Sequence, residues 1–358
     1  MNTILEQALL AVADFYAAHG RALPWRQDRD AYHVWLSEIM LQQTRVEAVI
    51  PYYERFLARF PTVFALAEAP EEALLKEWEG LGYYSRARNL HRTAKEIATR
   101  YGGHFPPDLT ALLALKGVGE YTAAAIGSIA FGLPTAPVDG NVLRIYARLF
   151  AHREDVTDPR FKKAVREALN AVYPSGDRAS QVTQGLMEVG QCFCTPSGVP
   201  HCSACPLLSL CRTGREGGYA NIPYRAPKKP RRVLQLTVLL LHVAGEGKGR
   251  FFIRRRADEG LLGGLWELPS IECVPSEEAA LAFARELGVT PLAAMPTVSG
   301  KHVFTHLEWH MQGFLVECAE QRVDGLTLAT VKELKEKYPI PTAFRVFKDL
   351  ILEEEKKG

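Results

Sequence analysis

At 358 residues, with 47% apolar and 23% charged positions and a formal charge of +2, the chain has an ordinary globular composition and is long enough for two or three domains. The near-neutral balance excludes bulk electrostatic attraction to nucleic acid, so any such affinity must come from local basic patches. No run of about 20 apolar residues offers a membrane span, and Met1 to His19 carries Glu6 and Asp14 in an amphipathic pattern with no basic leader, which makes the cytoplasm the expected compartment.

From Ile4 to about Leu210 apolar residues recur at three and four positions, predicting a helical region broken at Pro51, Pro61, Gly102-Gly103 and Pro106-Pro107. Within it, Leu115-Lys116-Gly117-Val118-Gly119-Glu120-Tyr121-Thr122-Ala123 reads as a tight turn between two helices, where glycines let the backbone bend and approach a ligand. The N–H groups that open the second helix suit a phosphate oxygen or a bridging monovalent or divalent cation. Val138-Asp139-Gly140-Asn141 then sets one carboxylate at a loop-to-helix junction. A phosphate-holding hairpin near a positioned aspartate points to chemistry on nucleic acid.

Five of the seven cysteines fall between Cys192 and Cys211, which in a chain of this kind favours metal ligation over disulfides. Cys194, Cys202, Cys205 and Cys211 form C-x7-C-x2-C-x5-C. Four thiolates in so short a loop hold zinc or an iron–sulfur cube. The single C-x2-C knuckle and Pro206 favour the cube over a zinc ribbon. Between Thr213 and Arg232, Gly, Pro and basic residues (Arg215, Arg225, Lys228, Lys229, Arg231, Arg232) replace the apolar period. This is a linker, either a solvated tether or a track for a phosphate backbone. Strands are expected at Val233–Val243, Arg250–Arg254 and Val303–Phe314, with helices at Glu277–Leu287 and over the last twenty residues.

The hairpin, the VDGN aspartate and the cysteine quartet, in this order, resemble the endonuclease III superfamily of base-excision glycosylases. Leu23-Pro24-Trp25-Arg26, Trp35 to Thr44 (WLSEIMLQQT) and Gly80 to Arg86 (GLGYYSR) resemble its adenine DNA glycosylases. The resemblance implies a multidomain protein: an all-α helix-hairpin-helix glycosylase with a 4Fe-4S loop over 1–212, then a basic linker over 213–232. An α/β Nudix-like domain for 8-oxoguanine recognition follows over 233–358. The first part would comprise a six-helix barrel at roughly 26–130 and a cluster domain built from the N-terminal helix and 131–212. Two positions depart from the family pattern. The first cysteine gap is one residue longer, and the family's Phe-Ser-His loop is Phe304-Thr305-His306 here.

Glycosidic hydrolysis through an oxocarbenium-like transition state calls for two carboxylates. Glu38 shares a helical stripe with Val34 and Leu41, so it should be desolvated and hold its proton. The resemblance implies that Glu38 protonates adenine N7 and later activates water, while Asp139 stabilises the cationic sugar and Tyr121 and Asn141 hold its geometry. It also implies that Arg26 and Gln184 line the base pocket and that Gln43, Thr44 and Tyr83 contact the opened duplex. Gly117, Val118 and Gly119 would meet a phosphate, and Phe304, Thr305 and His306 would read 8-oxoguanine. Tyrosine in place of the hairpin lysine of bifunctional relatives predicts a monofunctional enzyme that leaves an abasic site. The implied partner is double-stranded DNA carrying A:8-oxoguanine or A:G. The expected form is a monomer away from membranes, nucleoid-associated if bacterial. A sliding clamp and enzymes that handle the abasic product are further partners the sequence leaves open. The Nudix hydrolase box fails, because Arg285-Glu286-Leu287 is followed by Gly288-Val289 where paired glutamates belong. Rival readings are a thymine glycosylase for G:T pairs and a non-catalytic iron–sulfur DNA-binding or redox protein.

Overall fold

The computed structural model describes residues 2–227, 230–243 and 249–354. Lys228 and Lys229 of the basic linker lie outside them. The chain divides into two compact units, 1–68 with 89–227 and 69–88 with 228–358.

The helices in chain order begin with α1 (Asn2–His19), α2 (Ala31–Leu41), α3 (Val46–Arg59), α4 (Val63–Glu68), α5 (Glu71–Glu77), α6 (Ser85–Arg100), α7 (Leu109–Ala114) and α8 (Glu120–Ala130). They continue with α9 (Gly140–Phe150), α10 (Pro159–Asn170), α11 (Asp177–Glu188) and α12 (Arg212–Glu216). Pro51 does not break a helix as its residue type suggests; it lies inside α3 on the exposed side, while Val49, Tyr53 and Phe56 bury the opposite face. That burial outweighs one lost backbone hydrogen bond. The core of the first unit joins α1 (Leu5, Leu9, Val12) to α9 (Val142, Ile145, Tyr146, Leu149) and α11 (Val182, Leu186). Residues more than 130 apart in sequence thus share one core. Gly190 lets the backbone after α11 come close to α9, since a Cβ there would stand 2.7 Å from the Cβ of Asn141.

The second unit contains a seven-stranded mixed sheet made of β1 (Arg232–Val243), β2 (Arg250–Arg255), β3 (Trp266–Glu267), β4 (Ser270–Glu272), β5 (Pro291–Val303), β6 (Leu307–Cys318) and β7 (Leu326–Thr330). Its order is β3-β2-β1-β6-β5, with β4 pairing β1 and β7 pairing β2. Among the described residues of this sheet, only the β1–β6 pair runs parallel. Alternation sends Leu236, Val238 and Leu240 of β1 into a core with α14 (Val331–Glu336) and α15 (Arg345–Glu354). Leu239, Leu241 and Val243 enter a second core with α13 (Glu277–Glu286). The result is a sheet covered by helices on both faces. The strand expected at Val303–Phe314 is instead a hairpin turned at Thr305-His306, preceded by β5. The β5 sequence, PLAAMPTVSGKHV, hides its strand because prolines and a glycine interrupt the alternation; an edge position with register shifts tolerates them. In the helical part of this unit Glu79 pairs with Lys76 at 2.6 Å and with Lys348 of α15.

Candidate active site

Asp30 caps α2 by accepting from the Tyr32 N–H at 2.7 Å, and two turns later the helix carries Glu38. Its neighbours on the stripe bury it to 6% exposure. Burial pushes the Glu38 carboxyl up to about 7, the Tyr121 hydroxyl bonded to it pulls down, and the negative charge of Asp139 pushes up again. Tyr121, in the first turn of α8, is raised well above its usual value by the same burial. It is a neutral donor at any working pH.

Asp139 is the N-cap of α9. Its carboxylate accepts from the N–H groups of Asn141 at 2.8 Å and Val142 at 2.9 Å, and from the Asn141 side-chain amide at 2.8 Å. Burial raises its pKa, while these donors and Arg144 act in the opposite direction. Asn141 is itself held, since Arg144 donates to its Oδ1 at 2.7 Å and to the carbonyls of Gly190 and Cys194. Glu38, Tyr121, Asp139 and Asn141 are therefore one linked cluster drawn from three helices.

Glu38, Arg26 and Gln184 line one cavity with Trp25, Val34 and Ile129. Its volume is about 20 Å³, space for roughly one water, so a base enters only if side chains give way. Gln184 accepts from the Tyr16 hydroxyl at 2.8 Å and donates to Ser180 at 3.0 Å. Arg26 stands over the Tyr16 ring and donates to Glu188 at 2.6 Å. Glu188, 2% exposed, was not singled out from the sequence. Burial favours its neutral form, but Arg21 and Arg26 outweigh that and hold it ionised, below the usual carboxylate range. The available signal was its position four residues after Gln184, one helical turn further along the same face.

In the hairpin between α7 and α8, Gly117 has φ +85° and a Cβ would meet that of Asn89 at 2.8 Å, so only glycine fits. The Val118 N–H is bonded to the Leu115 carbonyl at 3.1 Å. Those of Gly117 and Gly119 meet no acceptor among the described residues. Gln43, just past α2, is exposed with φ +59°, and Thr44 follows it, with its N–H bonded to the Leu41 carbonyl at 3.3 Å. Tyr83 is 45% exposed with φ +49°. A left-handed backbone under a side chain is costly, and such strain gathers at functional positions.

In the second unit, Tyr83 and Phe304, Thr305 and His306 line a single cleft of about 470 Å³ with Gly260–Gly263 and Pro341–Ala343. Phe304 packs edge-on against His302 and Trp309 and anchors the turn. Thr305 and His306 are exposed at its tip.

Cys194, Cys202, Cys205 and Cys211 line one small, nearly apolar cavity, and none is in a disulfide. Arg148 donates to the sulfur of Cys194 at 3.3 Å and the Gly214 N–H to that of Cys211 at 3.3 Å, as thiolate ligands require. Among the described residues no three ligating side chains gather closely enough for a single ion. Four free thiols around one nearly apolar cavity are a donor set that suits an all-thiolate metal group.

Two family models match: the HhH-GPD superfamily of base excision DNA repair proteins over residues 36–171, and the NUDIX domain over 240–349. A thermostable thymine-DNA glycosylase structure superposes with TM-score 0.53 at 28% identity, covering 60% of this chain and 98% of its own. Endonuclease III in a non-covalent DNA complex gives 0.51 at 26%, covering 60% and 97%. Fold and site define the class, a helix-hairpin-helix DNA glycosylase joined to a Nudix-like module. The adenine DNA glycosylase of Rattus norvegicus is 34% identical over 88% of this chain and 71% of its own length. That of Arabidopsis thaliana is 39% identical over 77% of this chain, which spans about half (49%) of that relative's length. The chain belongs to the adenine DNA glycosylase family.

Proposed function

We propose that this protein excises adenine paired with 8-oxoguanine, and less well with guanine, from duplex DNA by flipping the base and hydrolysing its N-glycosidic bond. The observation that carries the proposal is the buried Glu38, held at about 7 in one cluster with Tyr121 and Asp139. A carboxyl at that value is substantially protonated at neutral pH and still able to act as a base afterwards. The flipped nucleotide would bring adenine against Glu38, Arg26 and Gln184, with Glu188 holding Arg26 in place. Glu38 delivers its proton to N7, the C1′–N9 bond breaks with its electron pair going to the base, and Asp139 faces the cationic sugar. Water then adds to C1′ as Glu38, now a carboxylate, accepts its proton. Asn141 and the two N–H groups at the start of α9 keep Asp139 aimed, and Tyr121 keeps Glu38 aimed.

Position 121 is a phenol, and Lys116 is exposed ahead of the turn. The product is therefore an abasic site. The free N–H groups of Gly117 and Gly119 take a backbone phosphate, directly or through a cation. Gln43, Thr44 and Tyr83 occupy the opened duplex, and the Phe304-Thr305-His306 turn reads the oxidised guanine within the cleft it shares with Tyr83. Cys194, Cys202, Cys205 and Cys211 would hold a 4Fe-4S cluster, which would supply a structural cross-link within the loop. Iron content near four per chain with visible absorbance supports that assignment, and stoichiometric zinc refutes it.

Single-turnover excision on A:8-oxoguanine, A:G, A:T and G:T duplexes, with and without alkali, tests the whole. Adenine loss revealed only by alkali, with A:T spared, is the expected result. Thymine release from G:T would replace this reading with a thymine glycosylase, and no release from any duplex would leave a binding protein.

A further inference from the structure

The linker after the cysteine loop is the sequence feature that the catalytic scheme leaves without a task. From Tyr219 to Ala226 it is fastened to the cysteine-bearing part of the first unit. Arg148 donates to the Tyr219 carbonyl at 3.3 Å and to the Ile222 carbonyl at 2.7 Å. The Val156 N–H donates to the Tyr224 carbonyl at 3.2 Å, and the Ala226 N–H donates to the Asp155 carboxylate. These bonds bracket Arg225 on both sides. Its guanidinium lies against the first turn of α9, where a Cβ on Gly140 would stand 3.8 Å from Nη2. Arg225 is exposed and has no ion-pair partner among the described residues.

We propose that Arg225 binds a backbone phosphate flanking the nucleotide whose base is removed, and so fixes that sugar against Asp139. The inference rests on the reading of Asp139 as the group that faces C1′. If the Asp139 carboxylate reaches C1′, the phosphates on the same sugar must pass close to Gly140, the next residue in the chain. Arg225 is the exposed cation held there. Arg144 cannot take its place, because its donors are engaged by Asn141 and by the carbonyls of Gly140, Gly190 and Cys194. The planar fork of Arg225 suits two phosphate oxygens.

The test measures binding of the full chain to a duplex whose target nucleotide has a non-hydrolysable sugar, over a range of salt concentrations. Arg225→Ala should weaken binding several-fold and lower the slope of log Kd against log salt by about one, whereas Arg225→Lys keeps the slope. A neutral methylphosphonate is then placed at each flanking phosphate in turn. At the contacted phosphate it should weaken the wild-type protein but add nothing to the loss in Arg225→Ala. An unchanged salt slope overturns the proposal. So do equal methylphosphonate penalties in both proteins at both positions, which is the pattern of a merely loosened linker. Excision by the wild type on the same duplex with a natural sugar separates the two levels. Normal excision with an unchanged slope removes only the phosphate contact, whereas absent excision removes the catalytic reading and this one with it.

Discussion

The cavity around Glu38 holds about 20 Å³ and is walled by buried side chains, whereas the cleft at the Phe304 turn holds about 470 Å³ and has Thr305, His306 and Tyr83 exposed along it. In the first, Glu38, Arg26 and Gln184 each have a partner that fixes their direction, and burial raises an ordinary glutamate to about 7. In the second, an apolar anchor carries polar tips into solvent. Bond breaking requires preorganised charge, and reading a base requires accessible donors on a firm turn. The two regions should therefore respond differently to substitution.

Asp139→Asn should give the largest effect, a loss of excision of roughly 10²–10³-fold or more with duplex binding largely retained, since the charge facing the sugar disappears while its size stays. Strong residual turnover in single-turnover assays would refute the assignment. Glu38→Gln should cost about 10²–10⁴-fold through loss of the general acid. In the wild type the excision rate should fall as pH rises through about 7, because the protonated form delivers the proton. The same shift predicts a stability signature. A carboxyl at about 7 in the folded state against the usual 4.5 binds its proton more tightly when folded. Its contribution is therefore full below 4.5 and lost as pH rises through 7. Glu38→Gln should show a higher Tm than wild type above pH 7 and no gain below 4.5, and a pH-independent difference would contradict the burial argument.

Gly117→Ala should follow, with duplex affinity lowered by about 1–3 kcal/mol from forcing a left-handed backbone and a contact with Asn89, while excision from bound complex changes less. Equal losses in binding and in bound-state rate would mean that the hairpin acts on chemistry as well. The smallest expected effect is Thr305→Ala, roughly a tenfold loss of preference for 8-oxoguanine over guanine, the worth of one hydrogen bond. Excision opposite guanine should be unchanged; a parallel loss on both duplexes would remove the turn from recognition.

Much of the molecule was legible from local pattern. The apolar period gave the helices, and the cysteine spacing marked four thiols that the fold gathers around one cavity. Alternation gave β1 and β2, and the order of the motifs gave the family. Pro51 and β5 misled because proline reads as a breaker in sequence, whereas a buried opposite face in α3 and an edge position for β5 make it tolerable. Glu188 went unnoticed because its meaning depends on Arg21 and Arg26, more than 160 residues away in the chain.

By itself the sequence determined which side chains exist at each motif and how they are spaced along single elements. It fixed the carboxylates, the glycine that turns the hairpin, the phenol in place of an amine, and the four thiols. Only the tertiary structure decided their states. It placed Glu38 where burial lifts it to about 7, set Glu188 between two guanidiniums that keep it ionised, and laid Arg225 of the linker beside the helix that presents Asp139. The physical reason is range. Helix and turn geometry act over a few residues, whereas burial and electrostatics depend on whatever the folded chain brings within a few ångströms, however far apart in sequence.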